Sequence, residues 1–145
     1  MGNASLIANI AATWMMVGVI WFVQLVHYPL LSLVQVDDAP HVALEHQRRT
    51  AFVVMVPMTV EGVSTLVLLG ATPEAVWWWL PWAGGVLLAV ALGCTVFLSV
   101  PLHKQMAESP TPTTGQQLVR TNWPRTIAWS LRGLLCVLML AQVLA

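Results

Sequence analysis

The first thirty-six residues, MGNASLIANIAATWMMVGVIWFVQLVHYPLLSLVQV (1–36), contain no Asp, Glu, Lys or Arg. An apolar stretch longer than the roughly 20 residues that span a bilayer as a helix reads as a membrane helix. The rest of the chain repeats the pattern, with its few charges gathered between apolar runs. At 58% hydrophobic and 8% charged over 145 residues, it cannot cover an aqueous surface, since soluble domains carry about 25% charged residues.

Four apolar windows occur in order, predicting an all-α, four-helix transmembrane bundle in a single domain spanning residues 1–145. The helices are expected from about Leu6 to Leu31, Arg49 to Leu69, Trp77 to Leu102 and Pro124 to Leu144. The first run lacks a basic leader region and a small-residue cleavage site, so it reads as a retained helix and not as a signal peptide. Arg48, Arg49, Lys104, Arg120 and Arg125 flank the first and third connections. The positive-inside rule then puts those connections in the cytoplasm and both termini outside, in a multi-pass protein of a bacterial inner membrane. A net charge of zero without a basic run argues against a nucleic-acid partner. The lipid bilayer, a second copy or a larger membrane complex are the expected partners.

Trp77, Trp78, Trp79 and Trp82 come after Pro73 at an expected interfacial depth and read as an anchor. Gly85, Ala89 and Gly93, four residues apart, read as a close-packing seam within the bundle or toward a second subunit. Met106 to Gln117 holds SPTPTTG and is expected to be a flexible loop. Cys94 and Cys136 lie in apolar segments, where a thiol packs like a small apolar group.

Two charges interrupt the apolar runs, Glu61 in the second helix and Arg132 in the fourth. An isolated charge at mid-bilayer costs at least about 2.5–3.5 kcal/mol, so the two are expected to face inward and pair. Either they only fix helix register, or they act as catalytic groups at a buried ligand or proton path. Helical spacing adds Gln24 with His27, Glu61 with Ser64 and Thr65, Thr95 with Ser99 and His103, and Arg125 with Trp129 and Arg132. The expectation is that these stripes meet in one pocket open to the cytoplasm.

His27, His41, His46 and His103 all map to the same end of the chain's crossings. Imidazole ligates haem iron, copper and non-haem iron. His27, His46 and His103 are therefore candidate metal ligands, while His41 and His46 can equally be solvated loop residues. Gln24, Asn122, Arg125 and Trp129 are candidate cofactor-binding residues. Glu45 and Glu61 are too few for a carboxylate-bridged di-iron centre, so a haem or a His-ligated copper or iron ion is the cofactor expected. Pro29 loosens the helix beside His27, and Pro57 releases the carbonyl of Val53 one turn before Glu61.

The stretches WFVQLVHYP (21–29), EHQRR (45–49), PMTVE (57–61), VPLH (100–103) and NWPRTIAWSLR (122–132) resemble a group of small bacterial four-helix membrane proteins that carries no assigned activity. The resemblance implies the topology and the choice of residues; its members often place a His where this chain has Ala43. More remotely, the first helix and the layout are similar to the membrane haem family that oxidises protoporphyrinogen. That family has an earlier His in its first helix, which Ile7 to Gly18 lacks, so its activity does not carry over. A looser similarity links the Asn, Trp and Arg near the last helix to anthrone-oxygenase-like proteins. Three functions are weighed on these grounds: a haem- or metal-dependent membrane oxidoreductase, a non-catalytic accessory subunit of a larger membrane complex and, third, a small transporter, which at 145 residues with no repeat would require oligomerisation.

Overall fold

The computed structural model describes residues 2–145, and four long helices make up most of it. They are α1 Gly2–Leu31, α2 Ala39–Gly70, α3 Trp79–Glu108 and α4 Thr114–Leu144, each long and apolar enough to cross a membrane. Short connections of residues 32–38, 71–78 and 109–113 make neighbours in sequence run in opposite directions. One end, here the loop end, carries the first and third connections; the other, the terminal end, carries the chain termini and the second connection.

Every helix except α1 runs further at the loop end than hydropathy alone predicts, because that end is amphipathic. Helix α2 begins ten residues before Arg49, with Pro40 in its first turn, where a missing N–H costs no helical bond. Ala39 and Ala43 then pack on Tyr28, Leu31, Met106 and Leu118. The segment expected to be a flexible loop is helical on both sides. Helix α3 persists to Glu108, α4 starts at Thr114, and the completely buried Leu118 anchors it. Only residues 109–113 remain a connection, closed by the Thr111 amide donating to Thr114 Oγ1 at 3.0 Å. Helix α4 is interrupted once, at Asn122, between Thr114–Thr121 and Trp123–Leu144.

The core is layered along the bundle axis. Leu6, Leu68, Val76, Leu80, Cys136 and Met139 form the terminal layer. Met16, Val17, Ile20, Ala91, Ala128 and Trp129 form the middle, and the Tyr28/Leu118 layer closes the loop end. Polar side chains sit between these layers. The outer surface is apolar, as Phe52, Val56, Leu66 and Phe97 show by their exposure, which is the inverse of a water-soluble bundle. Trp77, Trp78, Trp79 and Trp82 are all exposed beside the second connection.

Of the two placements expected for the small-residue seam, the one inside the bundle is not found at Ala89 and Gly93. Ala89 is exposed and a Cβ on Gly93 would meet nothing within 4 Å, while one on Gly85 would make only ordinary contact with α2. Within the bundle α3 instead buries Pro81, Gly84, Leu88 and Ala91. A Cβ on Gly84 would come within 3.1 Å of the Arg132 guanidinium, so this glycine admits the buried arginine.

Candidate functional site

The polar stripes form two clusters and not one chamber. Glu61 and His46 are fifteen residues apart on α2, about 22 Å along a straight helix. Because α2 begins at Ala39, Glu61 belongs to the terminal half of its helix and stands away from the pocket at the loop end where the polar stripes were expected to meet.

The deep cluster surrounds Glu61, which is 0% exposed, and Arg132, which is 3% exposed. Arg132 Nε donates to Glu61 Oε1 at 2.7 Å, and Thr13 Oγ1 donates to the same oxygen at 2.8 Å. The Trp129 indole N–H donates to Oε2 at 3.1 Å. The remaining guanidinium nitrogens donate to the Gly84 carbonyl, to Thr65 Oγ1 at 2.6 Å and to Asn9 Oδ1 at 3.4 Å. Asn9 Nδ2 in turn donates to Ser64 and Thr65. A buried pair survives only when its leftover donors and acceptors are also satisfied, and here all four helices contribute to doing so. Asn9 and Thr13 escaped the sequence reading. Their signal was present: two polar residues at i and i+4 on one face of an uncharged run.

At the loop end two local irregularities shape the second cluster. Val23–His27 and Thr95–Ser99 are π-helical turns, each followed within two residues by a proline, Pro29 and Pro101. The proline ring crowds the preceding turn and cannot donate, and the wider π turn relieves this. The extra residue rotates the remainder of the helix, which turns Tyr28 inward to 3% exposure. Pro57, by contrast, leaves α2 unbroken.

Three imidazoles meet here. His27 and His46 stack with ring centres 4.5 Å apart, and His46 and His103 lie 4.7 Å apart at 31°. His27 Nε2 and His46 Nδ1 share a hydrogen bond of 2.6 Å, and Thr50 Oγ1 lies 3.1 Å from the same Nδ1. The Tyr28 hydroxyl bonds His103 Nε2 at 2.9 Å, whereas His103 Nδ1 is buried without a partner. His41 is exposed and apart from the cluster.

A cavity of about 250 Å³ opens beside these rings, lined by His46, His103, Tyr28, Gln47, Thr50, Thr95, Ser99 and Arg125 on its polar side and by apolar residues, mostly of α1 and α2, elsewhere. Arg125 donates from Nη1 to Ser99 Oγ at 2.7 Å and rests 5.6 Å over the Trp129 ring. Its Nε is buried with no partner. Trp129 thus joins the clusters, its N–H held by Glu61 and its face carrying Arg125.

Gln24 and Asn122, expected to hold a cofactor, do other work. Gln24 Oε1 accepts from Asn122 Nδ2 at 2.9 Å and from Thr126 Oγ1 at 3.2 Å, and Gln24 Nε2 donates to the Val119 carbonyl. They clamp α1 to the break in α4 and stand outside the cavity lining.

The residues present test the expected cofactors. Imidazoles on opposite faces of a porphyrin stand about 6 Å apart, centre to centre, with the macrocycle between them; the stacked His27, His46 and His103 leave no such slot, so a haem held between two of them does not fit. Two nitrogens bound to one ion at tetrahedral angles are about 3.3 Å apart, so His27 Nε2 and His46 Nδ1 are too close to share one. Among the described residues no group of three or more His, Cys, Asp or Glu side chains is arranged to hold a metal ion. His46 and His103 remain as a pair, at a spacing near the about 5 Å expected of two imidazoles on one ion. No family model, curated protein or solved structure matches the chain.

Proposed function

We propose that the protein is a multi-pass protein of the bacterial inner membrane whose loop-end cavity lies toward the cytoplasmic side and binds a redox-active copper or iron ion through His46 and His103. The supporting observation is the unpartnered His103 Nδ1, buried beside the His46 ring on the cavity wall. With Tyr28 accepting from His103 Nε2, Nδ1 keeps its lone pair; with His46 Nδ1 donating to His27, His46 Nε2 keeps its own. His27 and Tyr28 then act as the outer partners that orient metal-binding imidazoles. A bound copper or iron ion supplies one-electron chemistry. The chain's own contribution is to fix the two tautomers, exclude water with the Tyr28/Leu118 layer and keep Arg125 aimed at the cavity. The basic residues at the loop end support its cytoplasmic placement.

Metal analysis and absorption spectra of detergent-purified protein test this. The wild type is expected to carry copper or iron near one ion per chain, His103→Ala and His46→Ala to lose it, and His27→Ala to weaken it about 10–100-fold as an outer partner does. Equal metal content in wild type and His103→Ala, or none in either after loading, overturns the reading.

One observation favours a second reading, an accessory subunit. Ala89 and Gly93 are left open on α3, a surface that suits another helix at close range. Stoichiometric copurification with a larger membrane protein, abolished by Ala89→Leu, supports it.

A further inference from the structure

We infer that the loop-end cavity takes the carboxylate head of an apolar, membrane-soluble acid, held by Arg125 with its hydrocarbon body toward the lipid. This rests on the cavity being the functional site, and not on the metal. Charge supplies the first argument. Among the described residues the ion pairs are Glu45 with Arg48 and Arg49, Lys104 with Glu108, and Glu61 with Arg132; Arg125 has no carboxylate partner. This partly buried guanidinium donates to Ser99 Oγ and bonds the Tyr28 hydroxyl, but it has no counter-ion and its Nε has no acceptor; a carboxylate supplies both through paired N–H···O bonds. The histidines beside it add no negative charge, so an anion also balances any cation bound there.

The walls supply the second argument. Beyond the polar end the cavity is bounded by Met16, Val19, Ile20, Val54 and Met58, too apolar for a free small anion. It shares Val19, Val23 and Thr50 with an adjoining groove between α1 and α2, lined besides by Gly18, Phe22 and Val53 and, at its polar end, by His27 and by Arg49, whose charge is already paired with Glu45. A Cβ on Gly18 would meet nothing within 4 Å, so the groove stays open at that point. An acid of this shape reaches Arg125 from the hydrocarbon without passing through water.

The test is photolabelling of the full chain in phosphatidylcholine nanodiscs, stripped of metal by chelator, with a diazirine analogue of a long-chain fatty acid, the adducts mapped by mass spectrometry. Label is expected on Val19, Val54 or Met58, displaced by dodecanoate but not by dodecanol or a decyl-substituted benzoquinone. Arg125→Gln is expected to reduce it by about tenfold or more, the loss of a charge-assisted pair, with Arg125→Lys retaining part. Gly18→Leu, whose Cβ would meet nothing within 4 Å, is expected to block it equally and covers the case in which the Arg125 variants fail to fold. Label spread over the lipid-facing surface and indifferent to Arg125→Gln and Gly18→Leu overturns the inference, as does equal displacement by the quinone or the alcohol. Specific labelling of protein that never binds copper or iron keeps this inference and discards the metal; metal-loaded protein with indifferent labelling does the reverse.

Discussion

Glu61→Ala is expected to cost about 3–5 kcal/mol of stability, the range for stranding one partner of a buried ion pair. The carboxylate accepts from Arg132, Thr13 and Trp129 together, so its removal leaves a guanidinium, a hydroxyl and an indole N–H without their charged acceptor. The measurement is equilibrium or thermal unfolding in mild detergent. Arg132→Met alone is expected to be as harmful, since it strands the carboxylate. The double variant Glu61→Leu/Arg132→Met is expected to cost clearly less than the two singles added, because coupled residues in one network are not additive. Additive losses would show that the two residues act independently and that the ion pair between them carries no coupling energy. Glu61→Ala should also weaken ligand binding at the loop end, since Glu61 holds the Trp129 ring on which Arg125 rests.

Gly115→Ala is the second large effect. A Cβ there would stand 2.5 Å from Ser32 Cα and 2.9 Å from its Cβ, so two backbones, not a flexible side chain, must part. Overpacking usually costs about 1–3 kcal/mol, and the upper end is expected because the contact joins the end of α1 to the start of α4. Gly93→Ala is the control: with nothing within 4 Å it is expected to be neutral or stabilising by up to about 1 kcal/mol through helix propensity. Similar unfolding midpoints for the two variants would refute the close approach.

Hydropathy read the number and order of helices well, because the cost of leaving backbone polar groups in hydrocarbon acts on each segment alone. It misread their ends at Ala39 and Thr114 for the same reason. Residues 39–48 and 114–121 are amphipathic, and their helicity depends on Leu31, Met106 and Leu118 arriving to cover them. Among candidate site residues, the proximity of Arg125 to Ser99 was legible from helical faces, whereas His46, ahead of the helix expected to begin at Arg49, was placed only at the same end as His103. The diversion of Gln24 and Asn122 into an interhelical clamp was not, since spacing along one helix says nothing of what the facing helix offers. Tyr28 was hidden by the π turn, which shifts the phase of every later residue in α1.

Sequence alone determined that this chain forms four apolar helices with one buried acid and one buried base, because each of these is a matter of solvation counted segment by segment. Tertiary structure alone decided that the polar residues divide into two clusters, whose α2 members Glu61 and His46 stand about 22 Å apart along the helix, and that Arg125 stands at a cavity without a counter-ion. Those outcomes depend on helix register and on two π turns, and register is set by the summed packing of all four helices.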